Sequence, residues 1–407
     1  MVDAVAGGAS LGDHEKARRA AVGEAVERYC ANSVPELLRT ASYGELARAG
    51  HPAVDPAEFS LYSRSQYAHR GFPFVPMGRD LPIAWASGRD MVDGSHILVP
   101  ASLVYVNYFR HSHAAEPPTH YPVLAGTAAG TSGERAREAA LREVLERDAV
   151  TLWWASGAQA AALALDAEPS LTRALAEAAA AGLKVGLLRI PSTAGALVVG
   201  AFVEDAARQL VAFGSACRAS SHEAAAKALT EALGMHETGL ELLEHDSGFW
   251  RSVRRGRTGH RPYRPYRADR AYLRDFRSDW RDVNDVRLHL QVHLDPETQD
   301  ARLDRLRFPG RPTAAPATTA SDQGTAALLR RLAEQGLRAI AVDLTTPEAR
   351  DAGLYVARVL VPGTYGNAPA AFPFLGGRRL YEEPAAHGWV PRPLTEDRLV
   401  RHPLPFS

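Results

Sequence analysis

An internal repeat constrains this chain more than any other feature of its sequence. Residues 6–28, AGGASLGDHEKARRAAVGEAVER, align without a gap on residues 125–147, AGTAAGTSGERAREAALREVLER. In both copies a glycine-rich turn precedes a helical pattern that closes with the motif ExxER. Residues three and four apart share one helix face, so each copy presents two carboxylates and a guanidinium together. These are Glu24, Glu27 and Arg28 in the first copy, and Glu143, Glu146 and Arg147 in the second.

The duplicated acidic pairs point to a metal site. Two carboxylates on one helix face are oxygen ligands of the kind that Mg²⁺ takes, and the neighbouring arginine can hold phosphate oxygens through two hydrogen bonds. A single ExxER motif is more often an ordinary solvated helix face. Such a face has no reason to repeat together with its flanking residues, and the repeat therefore favours a site for Mg²⁺ and phosphate.

A third, weaker copy covers residues 222–237, HEAAAKALTEALGMHE. Glu231 takes the place of the first glutamate, whereas Gly234 and Met235 stand where the second acid and the arginine would be. Lys227 lies four residues before Glu231, one turn back on the same face. We therefore expect the ammonium group of Lys227 to be within reach of a phosphate.

Composition sets the broad class of the protein. The chain has 407 residues, of which 46% are hydrophobic, and 47 basic residues balance 47 acidic ones. Zero net charge disfavours a nucleic-acid-binding protein, because counterion release needs a basic surplus. Two cysteines are too few for a disulfide framework, and the start of the chain has no signal pattern, so we expect a cytoplasmic protein. Charged residues interrupt every alanine-rich run, which excludes a membrane anchor.

Helical and strand patterns alternate along the chain, which predicts a mixed α/β fold. The predicted helices cover residues 13–50, 133–154, 221–243 and 325–335, and the predicted strands cover 185–190, 196–203, 210–215, 337–343 and 355–361. Between them, residues 251–287 hold twelve arginines among aromatic residues. We interpret the segment 250–290 as a solvated, loop-rich insertion. Contact with a peptide substrate is a second interpretation, and a nucleic-acid patch is a third.

Searches for other nucleotide-binding and metal-binding motifs give little support for a different kind of site. The chain has no GxxxxGK[ST] loop, which disfavours a P-loop nucleotide-binding protein, and no HExxH zinc motif. His111, His113 and His120 surround Glu116 and could suggest a metal site. Two prolines interrupt the spacing that would direct these rings at one point, so we expect surface histidines.

The separated motifs together resemble the YcaO family. The resemblance rests on SLGDHEKARRAAVGEAVERYC, GTAAGTSGERAREAALREVLERDAV, KALTEAL and, near the end, VARVLVPG, LGGRRLYEEP and RHPLPFS, and it covers residues 6–407. It implies one catalytic domain over residues 1–407, an α/β fold whose glycine-turn and helix units pack on mixed sheets. It also implies an ATP site without a P-loop. In that site Glu24, Glu27, Glu143 and Glu146 would hold Mg²⁺, and Arg28, Arg147, Lys227 and Glu231 would bind the nucleotide.

By the same resemblance, ATP activates a backbone amide oxygen of a ribosomally made precursor peptide. The Pro-rich tail, residues 397–407, is similar to that of members that form azoline rings from Cys, Ser or Thr. Such members tend to end in PxPxP, and here the last residues are PLPFS. The resemblance makes Pro403, Pro405 and Ser407 the candidate catalytic residues. We expect this tail to lie at the active site and to cover little of the core.

Two further hypotheses stay open at this point. The same fold carries backbone thioamidation and macroamidine formation, and a non-catalytic nucleotide-binding scaffold is possible, although intact carboxylate pairs argue against a scaffold. The sequence contains no recognisable leader-binding module, and its first motif begins almost at Met1, ahead of which related chains usually carry some tens of residues. We therefore expect a leader-binding partner protein, and a homodimer or hetero-complex as the assembly.

Overall fold

The computed structural model describes residues 6–110, 113–314 and 322–406, in which helices alternate with strands. The helices are α1 (His14–Ala31), α2 (Tyr43–Arg48), α3 (Arg64–Ala68), α4 (Ala101–Val104), α5 (Gly133–Ser156), α6 (Pro169–Ala180), α7 (Ser221–Leu243), α8 (Gly248–Arg254), α9 (Arg287–Val292), α10 (Asp304–Arg307), α11 (Thr325–Glu334), α12 (Pro347–Asp351) and α13 (Arg379–Ala386). The strands are β1 (Arg39–Ala41), β2 (Ile83–Asp90), β3 (His96–Pro100), β4 (Thr127–Gly130), β5 (Ala161–Ala164), β6 (Leu183–Ile190), β7 (Val198–Asp205), β8 (Leu210–Cys217), β9 (Gly310–Ala314), β10 (Ile340–Asp343) and β11 (Tyr355–Leu360). The predicted mixed α/β class is confirmed.

The described strands form two sheets. The first has the order β1-β2-β10-β11-β4, with β3 also paired to β2, and its pairings are antiparallel. The second has the order β8-β7-β6-β5-β9 and is mixed, because β5 and β9 run parallel while its other pairs are antiparallel. Strand β4 leads into α5 and strand β8 leads into α7, so each sheet delivers its edge strand to one repeat helix.

Helix α5 joins the two sheets. It packs on β4 and β11 of the first sheet and on β8 of the second. Its buried residues include Leu141, Leu145 and Trp153, which share one core with Phe213 of β8 and Val359 of β11. The burial of apolar side chains is the main stabilising contribution to a folded domain. The ExxER motif of α5 is therefore held at the junction of the sheets.

The three repeat units begin their helices at equivalent positions. Helices α1, α5 and α7 follow the N-cap residues Asp13, Ser132 and Ser220, which occupy the same place in the three copies. The Asp13 carboxylate accepts a hydrogen bond from the N–H of Lys16, and the Ser132 hydroxyl accepts one from the equivalent Arg135. Each bond satisfies a backbone donor that the first helical turn leaves free. The repeat found in the sequence is thus a repeat in the structure.

The helix predicted for residues 13–50 is wrong beyond Ala31. Asn32 ends α1, and its side-chain amide donates to the carbonyl of Arg28. Pro35 follows within one turn and cannot continue a helix. Residues Arg39–Ala41 instead pair with β2, and a separate short helix, α2, accounts for the later apolar spacing.

The other predicted elements are confirmed with small shifts at their ends. The predicted helix 221–243 is α7, and the predicted helices 133–154 and 325–335 are α5 and α11. The predicted strands 185–190, 196–203, 210–215 and 355–361 are β6, β7, β8 and β11, and the strand predicted for 337–343 begins later, at Ile340.

The segment 250–290 is loop-rich, as predicted, but it is only partly solvated. Arg267 pairs with Asp269 and Asp275, and most of its other arginines pair with nearby aspartates in the same way. These pairs neutralise only part of the positive charge, because the twelve arginines of residues 251–287 outnumber the five aspartates there, and the nucleic-acid interpretation stays an untested prediction. Its aromatic side chains are largely buried in a small core of their own. They are Trp250, Tyr272, Phe276 and Trp280.

Cys30 and Cys217 are both buried free thiols. Within the described part of the chain, no helix combines the length and the apolar character that crossing a bilayer requires.

Candidate active site

Glu24 of α1 and Glu143 of α5 have the same environment. Glu24 Oε2 accepts a hydrogen bond from the backbone N–H of Gly7 at 2.7 Å, and Glu143 Oε2 accepts one from Gly126 at 2.9 Å. Both glycines precede their glutamate by 17 residues. Gly126 has a φ of 91°, and a Cβ there would lie 2.6 Å from the carbonyl oxygen of Val359, so only glycine fits. The glycine-rich turn of each unit therefore positions the first carboxylate of its pair.

The second carboxylate of each pair links one repeat unit to the next. Glu27 Oε1 accepts a hydrogen bond from the N–H of Ala129 on β4 at 2.7 Å. Glu146 Oε2 accepts one from the N–H of Cys217 on β8 at 3.1 Å, and the hydroxyl of Ser215 donates to Glu146 Oε1 at 2.8 Å. Ala129 and Cys217 each stand four residues before the helix of their own unit. Contacts of one kind thus connect α1 to the second unit and α5 to the third.

Both linking carboxylates have perturbed pKa values. Burial raises the pKa of Glu27 to about 7, and the charges of Glu143 and Glu24 add to this effect. Burial also raises the pKa of Glu146 to about 7, where the charge of Glu231 acts in the same direction. A carboxyl group with a pKa near 7 becomes fully ionised when a divalent cation binds beside it. Glu27 and Glu146 are therefore suited to a site that gains positive charge when a divalent cation binds.

Arg147 is a buried cation whose hydrogen bonds are incomplete. Its Nη2 atom lies 3.5 Å from Glu146 Oε1, whereas Nε and Nη1 have no hydrogen-bond partner among the residues that the structure describes. Burial lowers the pKa of Arg147, but the carboxylates of Glu146, Glu231 and Glu143 raise it by more. A buried donor without a partner costs about 1–3 kcal/mol, which an anionic ligand would recover.

The equivalent arginine of the first unit is engaged differently. Arg28 Nε and Nη2 both donate to Glu24 Oε1, at 3.0 and 2.5 Å. In the third unit, Lys227 Nζ lies 3.1 Å from Glu231 Oε1, and the side chains are 39% and 27% exposed. A Cβ on Gly234, where the second acid would be, would meet no atom within 4 Å. The third unit therefore offers a cation and open space where the other units offer a carboxylate.

The arrangement fits a magnesium–nucleotide complex better than a bare metal ion. Across residues 6–110, 113–314 and 322–406, no three His, Cys, Asp or Glu side chains are placed to hold a metal by themselves. Mg²⁺ typically takes only one or two carboxylates and completes its shell with phosphate oxygens and water. Carboxylate oxygens beside the unpaired donors of Arg147 supply both parts of such a site. The residues present therefore fit Mg²⁺ that arrives with phosphates.

The tail is held by its backbone carbonyl groups. The carbonyl of Pro405 accepts a hydrogen bond from the N–H of Phe213 on β8 at 2.8 Å. The carbonyl of Pro403 lies 2.8 Å from His293 Nε2. Ser407, the third candidate catalytic residue, lies outside the described residues. The two prolines thus fix the course of the tail, and their catalytic role stays a prediction.

The tail reaches the candidate site through Phe406. The guanidinium carbon of Arg147 lies 4.6 Å from the centre of the Phe406 ring, a cation–π contact. The expectation that the tail covers little core is wrong. Leu404 and Phe406 are both buried and belong to the core around α5. Apolar residues alternate with the prolines, and an extended chain turns alternate side chains to the same side.

Of the three histidines near Glu116 the structure describes His113 and His120, and neither belongs to a group of three ligating side chains among the described residues. His113 Nδ1 lies 2.8 Å from Glu116 Oε1, and His111 lies outside the described residues. The expectation of a surface position is wrong for His120, which is buried with its Nε2 atom 3.1 Å from Ser102 Oγ. Burial lowers the pKa of His120 to about 4, so the ring is neutral and structural.

Sequence reasoning missed several residues of the site. Ser215 and Cys217 hold Glu146 through a hydroxyl and a backbone N–H. Cys217 could have been found, because it lies as far before α7 as Ala129 lies before α5. His402 and Phe406 carried no periodic signal, since their contacts come from parts of the chain distant in sequence.

The fold and the site define an α/β protein that gathers carboxylates and basic groups from a repeated helix, without a P-loop. Residues 10–365 match the family model described as YcaO cyclodehydratase, ATP- and Mg²⁺-binding. The chain belongs to the YcaO family, whose cofactors are ATP and Mg²⁺. The resemblance seen in the sequence is confirmed. No curated protein matches the sequence.

Solved structures share the fold. A heterocyclase in complex with substrate and cofactor is 21% identical, with a TM-score of 0.68, over 98% of this chain and 49% of that chain. YcaO from Methanopyrus kandleri, bound with AMPPCP and Mg²⁺, is 23% identical, with a TM-score of 0.53, over 87% and 79%. The E. coli microcin synthetase McbBCD complex with pro-MccB17 bound is 13% identical, with a TM-score of 0.56, over 86% and 80%. The chain spans about half the length of the heterocyclase.

Proposed function

We propose that this protein uses ATP and Mg²⁺ to convert Cys, Ser or Thr residues of a ribosomally made precursor peptide into azoline rings. The observation that carries the proposal is the buried guanidinium of Arg147, which lies among carboxylates of two repeat units and whose Nε and Nη1 atoms have no hydrogen-bond partner in the described residues. A cation in this setting is suited to the phosphate oxygens of a nucleotide. Membership of a cyclodehydratase family supports the proposed reaction class.

The proposed reaction closes a ring through a new carbon–sulfur or carbon–oxygen bond and a new C=N bond, and it breaks the carbon–oxygen bond of the amide. The side-chain sulfur or oxygen of the substrate adds to the preceding amide carbonyl, and its proton is lost. The resulting oxyanion takes the γ-phosphoryl group of ATP, which leaves ADP. Loss of phosphate and of the amide proton then closes the C=N bond of the ring. The amide oxygen departs with the phosphate, so the peptide loses one water in total.

The residues of this chain have distinct proposed roles. The four glutamates Glu24, Glu27, Glu143 and Glu146 would hold Mg²⁺, which when bound offsets phosphate charge and orients it for transfer. Arg28, Arg147 and Lys227 would bind phosphate oxygens, and Glu231 would orient Lys227 through their ion pair. Most of the acceleration would come from positioning and electrostatic stabilisation. Pro403, Pro405 and Ser407 would border the reacting amide.

We also propose that the protein works in the cytoplasm with a leader-binding partner, in a homodimer or hetero-complex. Support comes from the structural neighbour McbBCD, which is a complex with pro-MccB17 bound. The free thiols of Cys30 and Cys217 agree with a reducing compartment.

The deciding experiment mixes the chain, a leader-binding partner, ATP, Mg²⁺ and candidate precursor peptides, and weighs the products by mass spectrometry. Loss of water that requires ATP supports azoline formation. Exchange of oxygen for sulfur would replace it with thioamidation. Macroamidine formation also loses one water, and it would be recognised in tandem mass spectra by the loss of a free amine while every Cys, Ser and Thr side chain stays intact. Nucleotide binding without any ATP-dependent product would leave the scaffold hypothesis. The variant Glu134→Gln, an exposed position of α5, serves as a control for the glutamate variants.

A further inference from the structure

A small cavity of about 120 Å³ lies beside Arg147, between α5 and the tail. Its wall is mostly apolar and includes Trp154, Phe374 and Phe406. An engineered cavity of about 150 Å³ admits benzene, so this one has room for roughly five or six heavy atoms. That is the size of a Cys, Ser or Thr side chain with part of its backbone. Apolar pockets with a few placed polar groups are the usual sites for such ligands.

His402 lines this cavity, and its ring nitrogens, like Nε and Nη1 of Arg147, have no hydrogen-bond partner among the described residues. The residue is 7% exposed. The ring packs against the rings of His293 and Trp280, at 4.9 and 5.6 Å between centres. By contrast, His289 Nε2, in the same wall, already accepts a hydrogen bond from a backbone N–H.

The chemistry of His402 selects the kind of ligand. Burial, followed by the effect of His293, lowers the pKa of His402 to about 2, so the ring is neutral. A neutral imidazole offers one donor and one acceptor. A hydroxyl or an amide can satisfy both, and a thiol can donate to the acceptor nitrogen, whereas an aliphatic side chain can do neither. The cavity therefore favours a small polar side chain over an alanine.

A larger groove of about 890 Å³ borders the cavity. Its lining residues lie within residues 65–73, 278–281 and 370–373 and include Glu396 and Arg401. Ala370, Pro373 and Arg401 line both the groove and the cavity. An extended peptide advances about 3.3 Å per residue, so a groove of this volume holds several residues of a chain that continues into the cavity. The insertion thus supplies one wall of a path that leads to Arg147.

We propose that the cavity receives the peptide residue to be modified, with its hydroxyl or thiol against His402 and its amide toward Arg147, while the groove holds the flanking peptide. The inference rests on the proposed function, because Arg147 belongs to the proposed nucleotide site. It makes His402 a substrate-binding residue and gives the insertion a role in holding peptide.

The test uses a minimal probe, N-acetylglycyl-cysteine amide, and its matched analogue N-acetylglycyl-alanine amide. Binding of each to the full chain is measured by ligand-observed NMR in the presence of Mg²⁺ and AMPPCP, and nucleotide affinity is measured separately by calorimetry. The variants are Ala155→Leu, which fills the cavity from α5, His402→Phe, which removes both ring nitrogens, and His402→Gln, which keeps a donor and an acceptor. The control is Ala176→Leu, at an exposed position of α6.

We expect the unaltered chain and the Ala176→Leu control to prefer the cysteine probe over the alanine probe by about tenfold or more, as sites built around a hydrogen bond do. Ala155→Leu should weaken both probes by about tenfold or more. His402→Phe should abolish the preference, and His402→Gln should keep most of it. Nucleotide affinity should stay within about twofold in all variants, which a general loss of structure would not allow.

Three results would overturn the inference. They are the absence of probe binding to the unaltered chain, wild-type binding by Ala155→Leu, and an unchanged preference in His402→Phe. If His402→Phe does not fold, Ala155→Leu and His402→Gln still decide the matter. Failure of the proposed function would show differently, because the unaltered chain would then not bind nucleotide. The preference for the cysteine probe would still decide whether the cavity binds the peptide residue.

Discussion

The substitution Glu146→Gln tests two properties of this side chain: the loss of stability caused by burying its negative charge, and its proposed role in holding Mg²⁺. The two contacts of this side chain survive the change, because the amide oxygen can accept from the N–H of Cys217 and the amide nitrogen can donate to Ser215 Oγ. What is removed is a negative charge in a position that is 4% exposed. Arg147, whose Nη2 atom lies 3.5 Å from Glu146 Oε1, offsets only part of the cost of burying this charge, because burial still raises the pKa of Glu146 to about 7.

The magnitude follows from the pKa of Glu146, which burial raises from an ordinary 4.5 to about 7. The folded protein then holds this proton more tightly than the unfolded chain, so the stability it contributes is present at low pH and lost as pH rises through 7. At about 1.4 kcal/mol per pKa unit, the loss between pH 5 and pH 8.5 is about 3 kcal/mol. Glutamine does not titrate and should not show it.

The assay is urea unfolding at pH 5 and pH 8.5, with chelator and without nucleotide. The stability of Glu146→Gln relative to the wild type should rise by about 3 kcal/mol between these pH values, while Glu134→Gln should show no such change. In the presence of Mg²⁺ the same variant should consume ATP on the order of 10²-fold more slowly. A stability difference that is independent of pH would refute the electrostatic reasoning, and ATP consumption at the wild-type rate would refute the metal assignment.

Three further predictions follow from the repeat, the tail and the expected partner. Gly126→Ala should destabilise the protein by about 2 kcal/mol or more in thermal unfolding and should slow ATP consumption. Gly182→Ala, at a similar φ of 81° but with open space around the new Cβ, should destabilise it less, and equal losses of stability would contradict the close approach of Gly126 to Val359. Deleting residues 402–407 should lower the melting temperature as well as ring formation, because Leu404 and Phe406 lie in the core; an unchanged melting temperature would contradict this. The purified chain should modify a leader-bearing peptide slowly until a leader-binding partner raises the local peptide concentration, and full activity of the chain alone would be evidence against a partner.

The repeat made much of the fold and of the site predictable. Aligned copies place the same residue types at the same helical positions, and the starts of α1, α5 and α7 agree with that alignment. The predicted first carboxylates, Glu24 and Glu143, have equivalent glycine partners in the structure. Periodicity also predicted α7 to its ends and most strands of the second sheet. These features depend on contacts that are local or repeated, and a single sequence contains that information.

Features that depend on distant contacts could not be predicted in the same way. Asn32 and Pro35 mark the end of α1 locally, but the strand that follows depends on the pairing of residues 39–41 with β2, about forty residues away. Burial of the tail depends on Phe213 and on α5, and a proline-rich terminus looks the same in sequence whether or not a core receives it. Side-chain nitrogens of Arg147 and His402 lack hydrogen-bond partners in the described chain because no acceptor or donor from another part of the fold lies close enough to them. Absence of a partner leaves no pattern in a sequence.

The three repeat units differ in a way that assigns a direction to the site. In the first unit Arg28 donates two hydrogen bonds to the Glu24 carboxylate, which neutralises most of its positive charge. In the second unit Arg147 keeps two buried donors without partners in the described chain. In the third unit the second acid is replaced by Gly234, next to open space. The third unit therefore has one carboxylate fewer than the other two. Its Lys227 is paired with Glu231 as Arg28 is paired with Glu24, so the donors without partners in the described chain belong to Arg147 of the second unit. We therefore propose that the metal ion lies beside the first two units and that the phosphates it carries lie between Arg147 and the third unit.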